Sequence, residues 1–182
     1  LSKKLEPIYK LINITSKDKT LQKKDLIGFI GGTWTILVYM LNNKSPKKQI
    51  NKKILDYSKK NELIQKIIKT QKYHIKKQVE NGASVIQIFD SWAGLLSEDK
   101  KNKYIYEPTR EIVQYTKNLG VEIICFPRNI KSYKKFCDIV MPDAISIDYE
   151  VDPIKIADEI NIPIQGGMDP KCLLLDKNDM IK

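Results

Sequence analysis

Apolar positions along this chain fall into two rhythms, short dense runs and longer spaced stretches. Residues 26–30, 84–89, 121–126, 144–148 and 162–165 form five short, mainly apolar runs. Strands buried on both faces of a parallel sheet read this way, because neither face offers a regular place for polar residues. Between the runs, apolar residues recur near i, i+3 and i+4, which predicts helices over 34–41, 62–80 and 104–119. The second of these carries Leu63, Ile67, Ile68 and Ile75 on one stripe, and Gly120 follows the third at the usual helix-stopping position. A further helix over 152–160 opens with Asp152-Pro153, an N-cap acceptor followed by a proline suited to the first helical turn. Asp169-Pro170 reads as a helix start in the same way. The polar segment 42–53 reads as a flexible excursion.

Strand and helix alternating without hairpin signals predict right-handed βαβ units and a parallel sheet. Such a sheet is either open and doubly wound or closed into a barrel. No Gly-x-Gly-x-x-Gly or Walker-type loop follows any run, so a nucleotide-binding fold gains no support. A closed barrel needs eight units and typically about 250 residues. Five units in 182 residues therefore predict part of a barrel. No Gly/Ser/Pro-rich linker divides the chain, so residues 1–182 are expected to form a single partial-barrel domain.

Composition narrows the class. A hydrophobic fraction of 42% with 30% charged residues suits a folded globular chain rather than a disordered one. The apolar runs are too short to cross a bilayer, and the charged amino terminus lacks the apolar core of a signal peptide. A cytoplasmic protein without membrane contact is the expectation. Cys125, Cys137 and Cys172 are widely spaced and odd in number, which supports neither a disulfide framework nor a zinc site. Cys125 lies inside an apolar run and reads as a small core residue. His74, the sole histidine, sits among lysines and reads as a helix-surface residue.

The formal charge of +10 invites a nucleic-acid partner, but its distribution argues against one. Arg110 and Arg128 are the only arginines, and the lysines are scattered along helical faces and loops. Sequence-specific binders usually concentrate arginine among exposed aromatics. A diffuse positive field suits a polyanionic small molecule better.

Candidate chemistry gathers where the runs end. The first gives Gly28-Phe29-Ile30-Gly31-Gly32-Thr33-Trp34-Thr35, with Tyr39-Met40 following on a helix. The second gives Gln87-Ile88-Phe89-Asp90-Ser91-Trp92-Ala93-Gly94. The third ends in Phe126-Pro127-Arg128, the fourth in Asp148-Tyr149, and the fifth in Gln165-Gly166-Gly167-Met168-Asp169-Pro170. Polar residues collected at the carboxyl ends of parallel strands form the rim on which such folds build their sites. For Asp90, Ser91 and Trp92 taken alone, capping, loop hydrogen bonding and packing are the plainer roles.

Taken together, these clusters resemble the uroporphyrinogen decarboxylase family. Its Gly-Phe-x-Gly-x-Pro-Trp-Thr, followed by Tyr-Met, is similar to residues 28–40. Its Gln-x-Phe-Asp-Ser-Trp-Ala-Gly is similar to 87–94, its Asp-Trp element to Asp148-Tyr149, and its Gln-Gly-Asn-Leu-Asp-Pro to 165–170. Thr33 stands where the family has proline, Tyr149 where it has tryptophan, and Gly167-Met168 where it has Asn-Leu.

The resemblance implies an α/β TIM-type (β/α)8 barrel of which this chain covers about strands three to seven, with the amino- and carboxy-terminal parts of the family missing. It implies a cofactor-independent and metal-free carboxy-lyase that removes the carboxyl groups of the four acetate side chains of uroporphyrinogen. The product is coproporphyrinogen, on the route to haem. The small-molecule porphyrinogen is then the partner, and the full-length enzyme is a homodimer. By the same resemblance, Tyr39 hydrogen-bonds the substrate near the reacting acetate, Ser91 holds a substrate carboxylate, and Phe29 and Phe89 wall the pocket. The aspartate that carries the catalytic load has no counterpart here, so no catalytic residue is assigned within the chain. Two rivals remain. One is a cobalamin-linked methyltransferase of the same superfamily, whose His-x-Cys zinc pair would fall at Ile123-Ile124-Cys125, where the histidine is absent. The other is an inactive fragment, which would leave the 26–30 and 162–165 strands as unpaired edges with Phe29 and Ile164 lacking an interior packing layer.

Overall fold

The computed structural model describes residues 2–21, 23–42, 45–46, 50, 52–57 and 59–176. Each of the five apolar runs forms a strand, displaced by a residue or two from its expected bounds: β1 (Ile27–Gly31), β2 (Val85–Asp90), β3 (Glu122–Pro127), β4 (Ala144–Ile147) and β5 (Ile164–Gly166). All pair in parallel and in sequence order, β1-β2-β3-β4-β5. A doubly wound sheet reverses direction at a switch point so that helices cover both faces. Right-handed crossovers that always advance the same way put every helix on one side, which is how a barrel wall is made.

Strand register shows which side the helices cover. Ile30, Ile86, Ile88, Ile123, Cys125, Ile145 and Ile147 point to one face, and all are buried. Phe29, Gln87, Phe89, Ile124, Phe126, Ser146 and Gln165 point to the other, where Phe29 is 63% exposed and Phe89 36%. The expectation of strands buried on both faces therefore holds throughout the helix side, and on the other face at Gln87 and Ser146 but not at the phenylalanines. Ile164 also corrects the expectation: it pairs with Ile145, so it turns toward the helices and packs partly buried on their core.

The helices are α1 (Ser2–Ser16), α2 (Thr33–Asn42), α3 (Lys52–Asp56), α4 (Lys60–Glu80), α5 (Glu98–Lys101), α6 (Glu107–Lys117), α7 (Tyr133–Val140) and α8 (Pro153–Glu159). The expected helix over 104–119 is instead α5, a π-helical turn at Asn102–Tyr106, and α6. Pro108 accounts for the change: lacking an N–H, it cannot bond one turn back, and the ladder slips by a residue before it. Gly120 does take a left-handed φ of 79° after α6. Both Asp-Pro pairs cap as expected, Asp152 accepting from the Ile154 amide and Asp169 from the Lys171 amide. α1 and α7 lie where the pattern predicts no helix. Half of the expected excursion over 42–53 falls outside the described residues.

α1 settles against α4 through Tyr9, whose hydroxyl lies 3.0 Å from His74 Nδ1. His74 is thus half-buried in a helix–helix contact rather than on the surface, and burial lowers its pKa. The free edge of β1 is also occupied. Gln78 of α4 accepts from the Phe29 amide at 3.0 Å and donates to the Phe29 carbonyl at 3.1 Å. Two helical turns earlier, Gln71 donates to the Gly31 carbonyl at 2.7 Å. The β1 edge thus has no strand partner, as expected, but side chains of its own crossover helix bond Phe29 and the Gly31 carbonyl there.

Candidate functional site at the carboxyl ends of the strands

Three aromatic rings cross the open face of the sheet. Phe29 and Phe89 stand 6.0 Å apart and edge-on, and Phe89 meets Phe126 in the same way at 6.3 Å. The register dictates this ladder: Phe89 pairs with Phe126, and Phe29 sits one same-face position below Phe89 on the neighbouring strand. Beneath it on the same face runs a polar layer. Gln87 Nε2 donates to Ser146 Oγ at 3.0 Å and to Gln165 Oε1 at 3.2 Å, and Ser146 donates to Gln165 Oε1 at 2.9 Å. The buried Gln87 and Ser146 and the exposed Gln165 satisfy one another and carry no charge.

At the end of β2 the side chains turn alternately, so Asp90 points away from the open face and into the helix layer. It is 3% exposed. Thr35 in the first turn of α2 donates to Asp90 Oδ1 at 2.6 Å, and the Trp92 amide donates to Thr35 Oγ1 at 3.2 Å. Asp90 Oδ2 has no partner among the described residues. Burial pushes the Asp90 pKa up to about 6, and the Thr35 hydrogen bonds pull the other way without winning. The carboxyl fits only because Gly32 has no side chain: a Cβ there would lie 2.5 Å from Asp90 Cγ. Asp90 is thus no loop cap but a buried tie between β2 and α2.

The four expected site residues lie on β1, β2 and the segments that follow their carboxyl ends. Phe29 and Phe89 belong to the aromatic ladder. Tyr39 is on α2, 44% exposed, with its ring edge-on to Trp92 at 6.1 Å. Ser91, half-buried, occupies the turn between Asp90 and Trp92. Among the described residues neither the Tyr39 nor the Ser91 hydroxyl has a hydrogen-bond partner, so both remain free to meet a ligand. Phe126, Gln87 and Thr35 were not singled out from sequence. The alternation of β3 could have placed Phe126 beside Phe89, but the partners of Gln87 come from strands 59 and 78 residues away.

A second cluster closes the ends of β3 and β4. Asp148, 7% exposed, accepts from the Asn129 amide at 2.6 Å and from the Tyr133 hydroxyl at 2.7 Å. Tyr133 in turn accepts from the Asp148 amide at 3.1 Å, and burial raises its pKa. Arg128 Nε lies 3.8 Å from Asp148 Oδ1, with its side chain half-exposed at the rim. Arg128, Asn129 and Asp148, with Tyr149 and Glu150, line a small cavity of about 80 Å³. Larger cavities lie elsewhere, one of about 380 Å³ at the opposite end of β1 and β2 and one of about 230 Å³ between α4 and α6.

No group of three His, Cys, Asp or Glu side chains among the described residues is placed to hold a metal ion. Cys125 faces the helix core at 1% exposure, and burial raises its thiol pKa. It therefore points away from the open face of the sheet. No helix among the described residues is long and apolar enough to cross a membrane.

Comparison with known proteins gives a consistent result. A family model described as uroporphyrinogen decarboxylase (URO-D) matches residues 1–182. The chain is 41% identical over 167 residues to the uroporphyrinogen decarboxylase of Wolbachia pipientis wMel, covering 88% of this chain and 48% of that protein. It is 35% identical to that of Rickettsia bellii (strain RML369-C), covering 96% and 53%, and 33% identical to that of Orientia tsutsugamushi (strain Boryong), covering 98% and 54%. The chain spans about half the length of the curated relatives it matches.

Proposed function

The chain belongs to the uroporphyrinogen decarboxylase family, and on that premise we propose that the full-length protein decarboxylates the four acetate side chains of uroporphyrinogen to give coproporphyrinogen. In this reading the five strands are about strands three to seven of the barrel. The observation that carries it is the apolar ladder of Phe29, Phe89 and Phe126 on the open face of the sheet, with the Tyr39 and Ser91 hydroxyls on the segments that follow β1 and β2.

The chemistry asks for such a surface. Protonating a pyrrole carbon makes the ring cationic, and the electron pair of the bond to the departing carboxylate then flows into the ring as carbon dioxide leaves. A second proton completes the methyl group, and the proton first added to the ring carbon leaves to restore the neutral pyrrole. An apolar wall takes up the pyrroles and keeps water from the reacting bond, and in that low-dielectric surround each polar contact counts for more. Ser91 donates to a substrate carboxylate and fixes the macrocycle. Tyr39 donates near the reacting acetate and orients it. The residue that balances the ring charge is not assigned within this chain. The same reading includes a cytoplasmic homodimer with the porphyrinogen, rather than nucleic acid, as its partner. Support comes from the scattered lysine charge, which suits a multiply carboxylated small molecule.

The test is steady-state kinetics of the full-length protein with uroporphyrinogen. Ser91→Ala should raise KM and Tyr39→Phe should lower kcat, each roughly ten- to a hundredfold, the worth of one hydrogen bond to a charged group. Unchanged kinetics in both variants would overturn the site assignment. Absence of any decarboxylation by the parent would overturn the function.

A further inference from the structure

We propose that the Thr35 hydroxyl is a positioning group for decarboxylation, holding the Tyr39 ring against Trp92 by bridging the Asp90 carboxylate to the Trp92 amide. The inference rests on the reading of Tyr39 given above and adds to it a residue that never touches substrate.

Four observations converge. Thr35 is 5% exposed, so it acts only through its neighbours. Its hydroxyl makes both bonds of a bridge, donating to Asp90 at 2.6 Å and accepting from the Trp92 amide at 3.2 Å. Thr35 and Tyr39 are four residues apart on α2, so they lie one above the other on the same helix face. Tyr39 in turn meets the ring of Trp92, the residue whose amide Thr35 receives. The result is a closed circuit: Thr35 to Trp92 through the backbone, Trp92 to Tyr39 through the rings, and Tyr39 back to Thr35 through one helical turn.

The circuit is separate from what holds the helix in place. α2 is anchored by Trp34, Leu37 and Val38, all fully buried, and β2 by its pairing to both neighbours. Losing the bridge would leave the helix docked but free the loop after β2 to turn relative to it. Asp90 has no other side-chain donor among the described residues, since Oδ2 is unpartnered. Thr35 therefore also determines where that carboxylate points. A displacement of the Tyr39 hydroxyl by a fraction of an ångström is enough to weaken a contact made in the transition state.

The experiment uses the full-length protein and measures kcat and KM with uroporphyrinogen for Thr35→Val, Thr35→Ala, Thr35→Ser, Tyr39→Phe and the Thr35→Val/Tyr39→Phe pair. A crystal structure of Thr35→Val accompanies the kinetics. Valine keeps the shape and loses the bridge. It should lower kcat roughly tenfold, the scale of a buried hydrogen bond to a charged group, while KM moves much less. Serine restores the hydroxyl and should restore kcat. In the double variant the Thr35 change should add little to Tyr39→Phe, because both act through one contact. The crystal structure should show the Tyr39 ring displaced from Trp92. If Thr35→Val does not yield folded protein, alanine against serine gives the same comparison. Wild-type kcat in the valine or alanine variant, failure of serine to rescue, or rate losses that simply multiply in the pair would each overturn positioning. If Tyr39→Phe slows the enzyme while Thr35→Val does not, positioning fails alone. If Tyr39→Phe is itself silent, the Tyr39 assignment fails and this proposal with it.

Discussion

Replacing Asp90 by asparagine should abolish a specific piece of the protein's pH-dependent stability. Asp90 is fully buried, and its pKa rises from an ordinary 3.8 to about 6. A carboxyl whose folded pKa lies above its unfolded one binds protons more tightly when folded. Stability from this group is therefore greatest below about pH 4, falls as the pH climbs toward about 6, and is level above that. A shift of about two units at about 1.4 kcal/mol per unit gives a loss of about 2–3 kcal/mol between about pH 4 and about pH 7.5. Asparagine retains an acceptor for the Thr35 hydroxyl but cannot ionise. Its amide brings a cost of its own where Oδ2 now lies unpartnered, but that cost does not depend on pH. The informative quantity is the stability difference between variant and parent at the two pH values, in which the other titrating groups and the amide penalty cancel. Urea titration of the full-length proteins measures it. The asparagine variant should gain about 2–3 kcal/mol on the parent between the low and the high pH. A difference that stays constant, or changes in the opposite direction, would refute a buried carboxyl that ionises at a cost.

Two further outcomes follow from close contacts. Gly32→Ala would place a Cβ 2.5 Å from Asp90 Cγ, so β2 or α2 must move. Overpacking of this kind should lower stability by about 1–3 kcal/mol, and a urea midpoint equal to the parent's would refute the packing account. Gln78→Leu in this chain removes both partners of the Phe29 backbone, at a cost of about 1–3 kcal/mol. The Phe29 amide should then exchange with solvent faster than in the parent, and an unchanged exchange rate would show that Gln78 does not protect that edge.

The alternation of apolar runs and helical stripes was enough to give five parallel strands in order, because the βαβ unit leaves only one handed way to connect them. The motif residues also carried the membership: Phe89 and Ser91 fall at the carboxyl end of β2 and Tyr39 on the helix after β1, because strand ends and the helices that follow them are local features. Local signals likewise placed the Asp152 and Asp169 caps and the stop at Gly120. Other features needed the third dimension. Pro108 slipped the helix before it, a competition between ladder register and a missing donor that periodicity does not weigh. Gln71 and Gln78 look like polar interruptions of an apolar helix until the β1 edge is seen beneath them. His74 reads as a surface residue until α1 lays Tyr9 upon it. Asp90 shows the division most clearly. In sequence it is one more polar residue after a strand, whereas its depth, its bond to Thr35 and its raised pKa come from residues 55 and 58 positions distant in the chain. Hydrophobic period and capping are properties of neighbours along the backbone, so the sequence displays them directly. Burial, ionisation and the pairing of side chains depend on which distant segments exclude water from one another, and only the folded sheet and its helices decide that.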